Sequence, residues 1–395
     1  MQISAPSPNS CSAIARPIPR VPPVIAWDEN SLALLYRVVM EQGKLLKQFL
    51  AIQGGAMSIA EISVGIDYHQ SSLQVAVMNE KGVVLGNRSV SNDVGEVIKF
   101  VSNHGELASV AVEACTGSAN FADELKRRSG WEVKLCHPGY VQRMRHNPDK
   151  TDKSDGYLLS DLNRVGYLPE VWLAPERLRD LKELVRYRKQ LVEQRKETKQ
   201  RIRAILRHHR VKKPEEVNCW WTKICLNWLE RIDSLPEHTQ WTFGNHLKEH
   251  ERLTERVKEV EQRLDKATSD DVIVNHLASL KGVGLVTAAT IRAEVGQFSR
   301  FKKGKQLSRF CGVTPRNCSS GERQADAGLI KAGNPSLKTV IIEVCHSLVR
   351  HDSKWNKFAR RLKQKGKPYC VIIGAVANRW IRQLHFEMVQ VEQSA

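Results

Sequence analysis

The fold of this chain is decided by the stretch ISVGIDYHQSSLQVAVMNEKGVVLGNRSV, residues 62–90. Residues 62–68 form an apolar run, and residues 72–78 alternate in character, which predicts two successive strands. The segment Asn79-Glu80-Lys81-Gly82 is typical of a hairpin turn, and residues 83–90 follow it as a third predicted strand. Three strands in succession therefore begin the folded part of the chain.

After the three strands, helices alternate with strands. Helices are predicted at about 92–104, at 118–129 and from about 139, with strands ending at Glu113 and spanning 131–136. The order β-β-β-α-β-α-β-α matches the ribonuclease-H-like architecture, in which acids stand at the ends of neighbouring strands. We therefore predict an α/β domain with a mixed sheet over residues 57–173.

Four acids occupy the positions where a metal-dependent nuclease of this architecture would place its ligands. Asp67 ends the first apolar run and Glu113 ends the strand Val110-Ala111-Val112. Asp152 and Asp155 are three residues apart, so on a helix they share one face. Carboxylates beside buried strands are costly unless they are paired or bind a cation. Each acid alone has a simpler interpretation, either as a turn residue at the end of a strand or as an exposed residue at the start of a helix. Only the four acids together indicate a metal site.

The chain is strongly basic, which indicates a polyanionic partner. Its 395 residues carry 61 Lys and Arg against 43 Asp and Glu, a formal charge of +18. Such an excess favours DNA, RNA or an anionic membrane surface. No apolar run approaches the roughly 20 residues that span a bilayer, so nucleic acid is preferred. The nine cysteines show no paired spacing and are read as reduced thiols of a cytoplasmic protein.

The segments before and after the first domain differ from it in composition. Prolines interrupt residues 1–56, so this part is expected to be a disordered N-terminal extension, with the compact protein beginning near Met57. Residues 174–213 are predicted to form a long helix with fifteen Lys and Arg against five Asp and Glu. Its charged surface is either the solvent-exposed face of a coiled coil or a surface that lies along the phosphate backbone of a nucleic acid.

A second long helix is predicted after a tryptophan-containing linker. Its residues Leu253, Val257, Val260 and Leu264 follow the spacing of a coiled-coil seam. The two helices would pair as an antiparallel hairpin or between protomers. Residues 174–270 are therefore interpreted as a helical connector, and Trp220 and Trp221 as core or interface residues rather than base-stacking platforms.

Residues 271–395 are predicted to be a small, mainly helical domain. Gly282-Val283-Gly284 between two helices resembles a helix-hairpin-helix, whose backbone amides contact phosphate; the simpler reading is a tight corner between helices. Ser320 lies in a loop after Thr314-Pro315-Arg316 and by itself is ordinary loop chemistry. The residues predicted to bind nucleic acid are Arg195, Lys199, Arg203, Lys281, Gly282, Gly284, Lys302, Lys303, Arg316 and Lys331.

The sequence resembles insertion-sequence family one-ten, the DEDD-type transposases described as bridge-RNA-guided recombinases. The resemblance covers residues 60 to 385. It is carried by the motifs Gly65-Ile66-Asp67, Glu113-Ala114, Thr116-Gly117, Thr151-Asp152-Lys153-Ser154-Asp155, Leu280-Lys281-Gly282-Val283-Gly284, Cys311-Gly312-Val313-Thr314-Pro315-Arg316, Ser320-Gly321 and Lys331-Ala332-Gly333-Asn334. The chain departs from the family at Gln70, where many members have Lys, at Gly156, where many have Ala, and after Gly117, where the usual aromatic is missing.

This resemblance implies a RuvC-like nuclease domain, a coiled-coil connector and a transposase domain with a nucleophilic serine. Asp67, Glu113, Asp152 and Asp155 match the four metal-binding acids, and Ser320 matches the serine, with Ser319 as its reserve. The implied activity is site-specific DNA strand exchange with Mg²⁺ and a covalent phosphoserine. The implied partners are DNA, a guide RNA and further copies of the chain, as a dimer or tetramer, at the bacterial nucleoid.

Two other functions fit the residues. A junction-resolvase-like endonuclease would use the four acids and water, with Ser320 merely structural. A nucleic-acid-binding protein without activity would need neither the acids nor the serine. Formation of a covalent protein–DNA adduct separates recombination from hydrolysis, and loss of activity on Asp67→Asn with DNA binding retained excludes the third function.

Overall fold

The computed structural model describes residues 62–105, 107–144, 151–317 and 326–394. The chain divides into two compact units, one that ends at Leu173 and one that begins at Ala174. The predicted N-terminal extension and Ser320 lie outside the described residues. The boundary predicted near residue 270 stays a prediction.

The first unit is built on a six-stranded mixed sheet, and the predicted order of strands and helices is confirmed. Its strands are β1 (Ile62–Tyr68), β2 (Ser72–Asn79), β3 (Val84–Ser91), β4 (Leu107–Glu113), β5 (Glu132–Cys136) and β6 (Glu170–Val171). They lie in the order β3-β2-β1-β4-β5-β6. β1 pairs with β4 and β4 with β5 in parallel, and the other neighbours are antiparallel. The short strand β6 is the one element of this sheet that the sequence pattern did not predict.

Helices cover both faces of this sheet. They are α1 (Val94–Ser102), α2 (Ser118–Ser129), α3 (Pro138–Val141) and α4 (Asp152–Arg164). Val64 and Ile66 of β1 belong to a core that also contains residues of α1 and α2. On the other face, Ala111 of β4 packs with Leu159 and Leu162 of α4. β1 is therefore buried on both sides, which explains its continuous apolar character.

Small residues let α4 approach β1 closely. A Cβ atom at Gly65 would lie 2.3 Å from the backbone nitrogen of Ser160 and 2.4 Å from the carbonyl oxygen of Gly156. The Ser160 hydroxyl donates to the Ser63 carbonyl at 2.9 Å. Because side chains alternate along a strand, Asp67 lies on the same face of β1 as Ser63 and Gly65, the face that α4 covers.

The second unit is helical apart from a small two-stranded hairpin. Its elements are α5 (Glu176–His208), α6 (Lys223–Glu230), α7 (Glu237–Thr268), α8 (Val272–Ser279), α9 (Leu285–Val295), α10 (Gly304–Phe310), β7 (Pro315–Asn317), β8 (Asp326–Leu329), α11 (Pro335–His351), α12 (Ser353–Gln364) and α13 (Tyr369–Ser394). The hairpin lies where the sequence pattern predicted a loop, and α12 was not predicted as a separate element. The described helices include none with the length and apolarity needed to cross a membrane.

The two long helices α5 and α7 pair within one chain and run antiparallel. Arg188 binds Glu261 through two nitrogens at 2.9 and 2.6 Å, and Arg256 donates to the Tyr187 hydroxyl at 3.0 Å. The four predicted seam residues of α7 are all buried. In the segment between the helices, Trp220, Trp221 and Trp228 pack against an apolar cluster. This matches the interpretation of Trp220 and Trp221 as core or interface residues.

Helices α8 to α13 share one apolar core. The segments before and after the β7–β8 hairpin meet backbone to backbone. A Cβ atom at Gly333 would lie 2.3 Å from Gly312 Cα and 2.5 Å from Gly312 N. Gly312 has φ +72, a conformation that favours glycine. Glycine at both positions therefore permits this contact. It holds together the two ends of the segment that contains Ser320.

Candidate functional site

Asp67 is a nearly buried carboxylate at the end of the central strand. Its side chain is 7% exposed. Burying a carboxylate is costly unless a charged or hydrogen-bonding partner compensates. The fold therefore places a carboxylate where the central strand β1 ends, on the face of the sheet that α4 covers.

Asp152 is brought to this edge by the start of α4. The helix begins with a capping box in which the Thr151 side chain accepts from Ser154 N and the Ser154 hydroxyl accepts from Thr151 N, each at 3.2 Å. The Asn87 side chain of β3 donates to the Lys153 carbonyl at 3.0 Å. A carboxylate in the first turn also interacts favourably with the helix dipole. These contacts fix the position of Asp152.

A histidine that the sequence analysis did not single out lies between the two acids. His69 Nε2 lies 3.3 Å from Asp67 Oδ2 and 3.6 Å from Asp152 Oδ1. Each of the three side chains offers one ligand atom, and these atoms lie within 4.8 Å of one another. We call these three residues the acid–histidine cluster. The alternation of side chains contained a signal for it, because residues 67 and 69 are two apart at the end of a strand.

Glu113 ends β4, the strand beside β1. Ile66 pairs with Val112 in parallel register, so the next positions, Asp67 and Glu113, are neighbours at the same edge. The carboxylates of Glu113 and Asp67 both act on the Cys136 thiol. The pKa of the Cys136 thiol is raised to about 12, mainly by burial and further by the negative charges of Glu113 and Asp67. Burial and the same two charges raise the pKa of the Cys115 thiol. Both carboxylates therefore act electrostatically on the same two thiols.

Asp155 lies one turn further along α4 and is 4% exposed. It does not belong to the acid–histidine cluster, although the helix puts it on the same face as Asp152. The structure thus joins Asp67 with Asp152, sets Glu113 at the same sheet edge and buries Asp155 on the same helix. Ser320 lies outside the described residues.

The acid–histidine cluster offers oxygen and nitrogen donors of the kinds that divalent cations accept. In an octahedral Mg²⁺ site with bonds of about 2.1 Å, neighbouring ligand atoms lie about 3 Å apart and opposite ones about 4 Å. The observed 3.3 and 3.6 Å separations lie between these two values. Asp67 is held in the protein, whereas Asp152 and His69 are 60% and 46% exposed. A cation here would therefore remain open to water and to substrate.

The residues predicted to bind nucleic acid lie on several separate elements of the second unit. Arg195, Lys199 and Arg203 are on α5, Lys281 to Gly284 form the turn between α8 and α9, Lys302 and Lys303 precede α10, Arg316 is on β7 and Lys331 follows β8. Two of those on α5 stack on tryptophans: Lys199 Nζ lies 4.9 Å from the Trp221 ring and Arg203 Cζ 5.2 Å from the Trp220 ring. Their role in binding stays a prediction.

Two family profiles match this chain, and together they cover more than half of it. One, described as "Transposase" of the DEDD type of IS110, matches residues 64–210. The other, described as "Transposase IS116/IS110/IS902 family", matches residues 274–360. The first match contains the acid–histidine cluster with Glu113 and Asp155, and the second contains the segment with Ser320.

Individual proteins with similar sequences bear related names. The transposase for insertion sequence element IS1111A of Coxiella burnetii is 25% identical over 297 residues, 74% of this chain and 80% of that protein. The transposase y4qE of Sinorhizobium fredii is 30% identical over 220 residues, so the match spans about half of each, 55% and 53%. The pilin gene-inverting protein of Moraxella bovis is 30% identical over 108 residues, 26% of this chain and 33% of that protein.

These matches run through both units in the same order as the motifs of the sequence. The ends of β1 and β4 and the start of α4 lie where the profile of the DEDD type matches. The chain belongs to the IS110 family of insertion-sequence transposases, enzymes that act on DNA.

Proposed function

We propose that this chain is a site-specific DNA recombinase that exchanges strands by means of a Mg²⁺-dependent carboxylate site and a covalent phosphoserine. The observation that carries the proposal is the acid–histidine cluster, with its ligand atoms within 4.8 Å, in a member of a DEDD transposase family. Site-specific exchange is further supported by the similarity to a protein named for inverting a pilin gene.

Asp67, Asp152 and His69 would hold the cation, with Glu113 at the same sheet edge. A bound Mg²⁺ polarises phosphoryl oxygens and stabilises the charge that develops in the transition state. The protein's own part is to fix the ligands: β1 holds Asp67, and the capped start of α4 together with Asn87 positions Asp152. The open side of the cluster leaves room for a DNA phosphate.

Ser320 would supply the nucleophile. Its Oγ attacks the phosphorus of the scissile phosphodiester, a phosphorus–oxygen bond to serine forms, and the bond to the leaving deoxyribose oxygen breaks. That oxygen takes up a proton as the serine hydroxyl loses one. Because the phosphoserine ester retains the phosphodiester bond energy, a hydroxyl of a second strand can displace the serine without an external energy source. The same chemistry favours a dimer or tetramer, since exchange of several strands requires several sites.

A guide RNA and a place at the nucleoid complete the proposal, and the family resemblance supports both. Sequencing of RNA that copurifies with the protein tests the guide. The expected RNA is a structured transcript from the DNA beside the coding region, with loops that match both the element junction and the insertion site.

Replacing Ser320 with alanine tests the covalent step. We expect the wild-type chain with Mg²⁺ and a DNA substrate to form an adduct that survives denaturing gel electrophoresis, and Ser320→Ala to form none, because alanine lacks the nucleophilic oxygen. Ser319→Ala is the matched control and should retain the adduct. If Ser320→Ala cuts DNA and the wild type never forms an adduct, the activity is hydrolysis with water as the nucleophile.

Replacing His69 with alanine tests its role as a nitrogen ligand. Mg²⁺ favours oxygen ligands, whereas transition metals such as Mn²⁺ also accept imidazole. We expect Mn²⁺ to bind more tightly than Mg²⁺, and His69→Ala to weaken Mn²⁺ binding by roughly tenfold or more. Calorimetric titration of the metal-free chain measures both affinities. The neighbouring exposed Gln70→Ala is the control, and equal Mn²⁺ affinity in wild type and His69→Ala would contradict ligation by this side chain.

A further inference from the structure

A cleft between α12 and α13 is lined by four cations and two aromatic rings. Its volume is about 320 Å³, and its lining residues are Lys354, Trp355, Lys357, Phe358, Arg361 and Arg379. On α12, Lys354, Lys357 and Arg361 recur at helical spacing, so the helix presents them on one face. Arg379 adds a cation from α13. Among the residues that the structure describes, no acidic side chain lines the cleft.

The aromatic rings hold the cations in place. Arg361 Cζ and Arg379 Cζ lie 5.5 and 5.2 Å from the centroid of the Phe358 ring, one from each helix. Lys354 Nζ lies 5.2 Å from the Trp355 ring and also donates to Gln383 Oε1 at 2.6 Å. Trp355 is 5% exposed and supports Phe358 edge-on. These cation–π contacts orient the charges without neutralising them.

In the part of the chain that the structure describes, these four cations have no carboxylate partner. Across the described residues, no ion pair involves Lys354, Lys357, Arg361 or Arg379. By contrast, Lys182 of the same unit lies 2.8 Å from Glu294. Four like charges gathered around a cleft repel one another, so the arrangement favours an anion with several negative groups. A phosphodiester strand supplies such groups at regular intervals.

We propose that this cleft binds a single strand of the DNA substrate. Phosphates contact Lys354, Lys357, Arg361 and Arg379, and an unpaired base stacks beside Phe358 and its guanidinium groups. A cationic groove with aromatic side chains is the arrangement that proteins use for single-stranded nucleic acid, and guanidinium planes also stack on bases. DNA is the occupant because the enzyme acts on DNA and strand exchange releases unpaired strands.

Anisotropy titration of a short fluorescein-labelled DNA strand tests the proposal. The full chain is used in a chelator, so binding is measured without the chemistry of the acid–histidine cluster. We expect Arg361→Gln/Arg379→Gln to weaken binding on the order of tenfold at low salt. Because each phosphate contact on a single strand contributes about 0.7 to the slope of log affinity against log salt, that slope should fall by about 1.4.

The matched control is Arg360→Gln/Lys363→Gln, which removes two cations of α12 that do not line the cleft. It should bind the strand within about twofold of the wild type, since non-specific attraction changes equally in both double variants. Equal weakening in the two double variants would overturn the proposal. An effect of the cleft variant on an RNA strand of the same sequence, with DNA unaffected, would also overturn it.

A cross-link provides a second readout that does not depend on affinity. A DNA strand containing bromodeoxyuridine, irradiated with the wild-type chain, is expected to attach to peptides from residues 353–364 or 369–394. Attachment confined to peptides elsewhere in the chain would contradict the assignment. Circular dichroism melting of both double variants confirms that they are folded, as expected for substitutions of exposed arginines and lysines.

Discussion

The substitution Asp67→Asn should abolish DNA strand cleavage and leave the chain folded. Asp67 is the buried member of the acid–histidine cluster, with a side chain that is 7% exposed, and an asparagine amide cannot replace an anionic ligand. A catalytic metal contributes several kcal/mol of transition-state stabilisation, and each 1.4 kcal/mol or so is a factor of ten in rate. We therefore expect a loss of at least about 10³-fold, measured as cleavage of a labelled element-end substrate.

Glu80→Gln is the matched control for this substitution. It removes a carboxylate at the hairpin between β2 and β3, beside Asn79, which pairs with Ile62 at the opposite end of β1 from Asp67. The control should retain full cleavage. Calorimetry should show Mg²⁺ binding lost in Asp67→Asn and preserved in Glu80→Gln, while both variants bind the DNA substrate. Full cleavage by Asp67→Asn would rule out this acid as a ligand, and loss of DNA binding together with cleavage would indicate misfolding.

The substitution Gly65→Ala should destabilise the first unit by about 3 kcal/mol, the upper end of the usual range, since it overpacks a backbone–backbone contact. The added methyl group would lie 2.3 and 2.4 Å from backbone atoms of α4, which cannot move aside as a flexible side chain can. α4 must therefore shift away from β1. Because the same helix carries Asp152 and Asp155, metal binding should be lost together with stability. Urea unfolding followed by circular dichroism measures the first effect and calorimetry the second.

Gly156→Ala is the control on the other side of the same interface. A Cβ atom there would lie 3.4 Å from Gln74 and 3.5 Å from Ala76 Cβ, ordinary or slightly close contacts. Alanine also favours the helix by up to about 1 kcal/mol over glycine. We expect unchanged or higher stability. If Gly65→Ala unfolded at the same urea concentration as the wild type and still bound Mg²⁺, the close approach of α4 to β1 would be wrong.

The first unit could be predicted from sequence because its signals are local and repeated. The apolar run of β1, the alternation in β2 and the turn at Asn79 specify three strands before any long-range contact is considered. Two of the four predicted acids, Asp67 and Asp152, then meet in one cluster. His69 was missed although it stands two residues after Asp67, because Mg²⁺ prefers carboxylate ligands and because His69 lies beyond the end of β1 at Tyr68.

Other elements were missed for different physical reasons. Strands β7 and β8 contain three and four residues, too few for hydrophobic periodicity to appear. α12 was not predicted as a separate helix, because its charges mask the apolar positions Trp355, Phe358, Ala359 and Leu362. Its start was nevertheless visible, since Asp352 accepts from the backbone of Lys354 and Trp355 as a helix N-cap.

The sequence did not decide whether α5 and α7 pair within one chain, because a heptad pattern does not distinguish a partner helix in the same chain from one in another. The pair register depends on contacts such as Arg188 with Glu261, which are 73 residues apart in sequence. Sequence patterns indicated which side chains face the seam. They did not determine which residue of the second helix each would meet.

The contact between Gly312 and Gly333 has a consequence for how this family of enzymes diversifies. Since backbone packing already joins the two ends of the intervening segment, lengthening it adds little closure entropy, about 0.6 kcal/mol for each doubling. Insertions between Asn317 and Asp326 would leave Val313 and Ile330, which are buried at the two ends of this segment, in place. Natural variation can thus alter the surroundings of the serine while the scaffold remains constant.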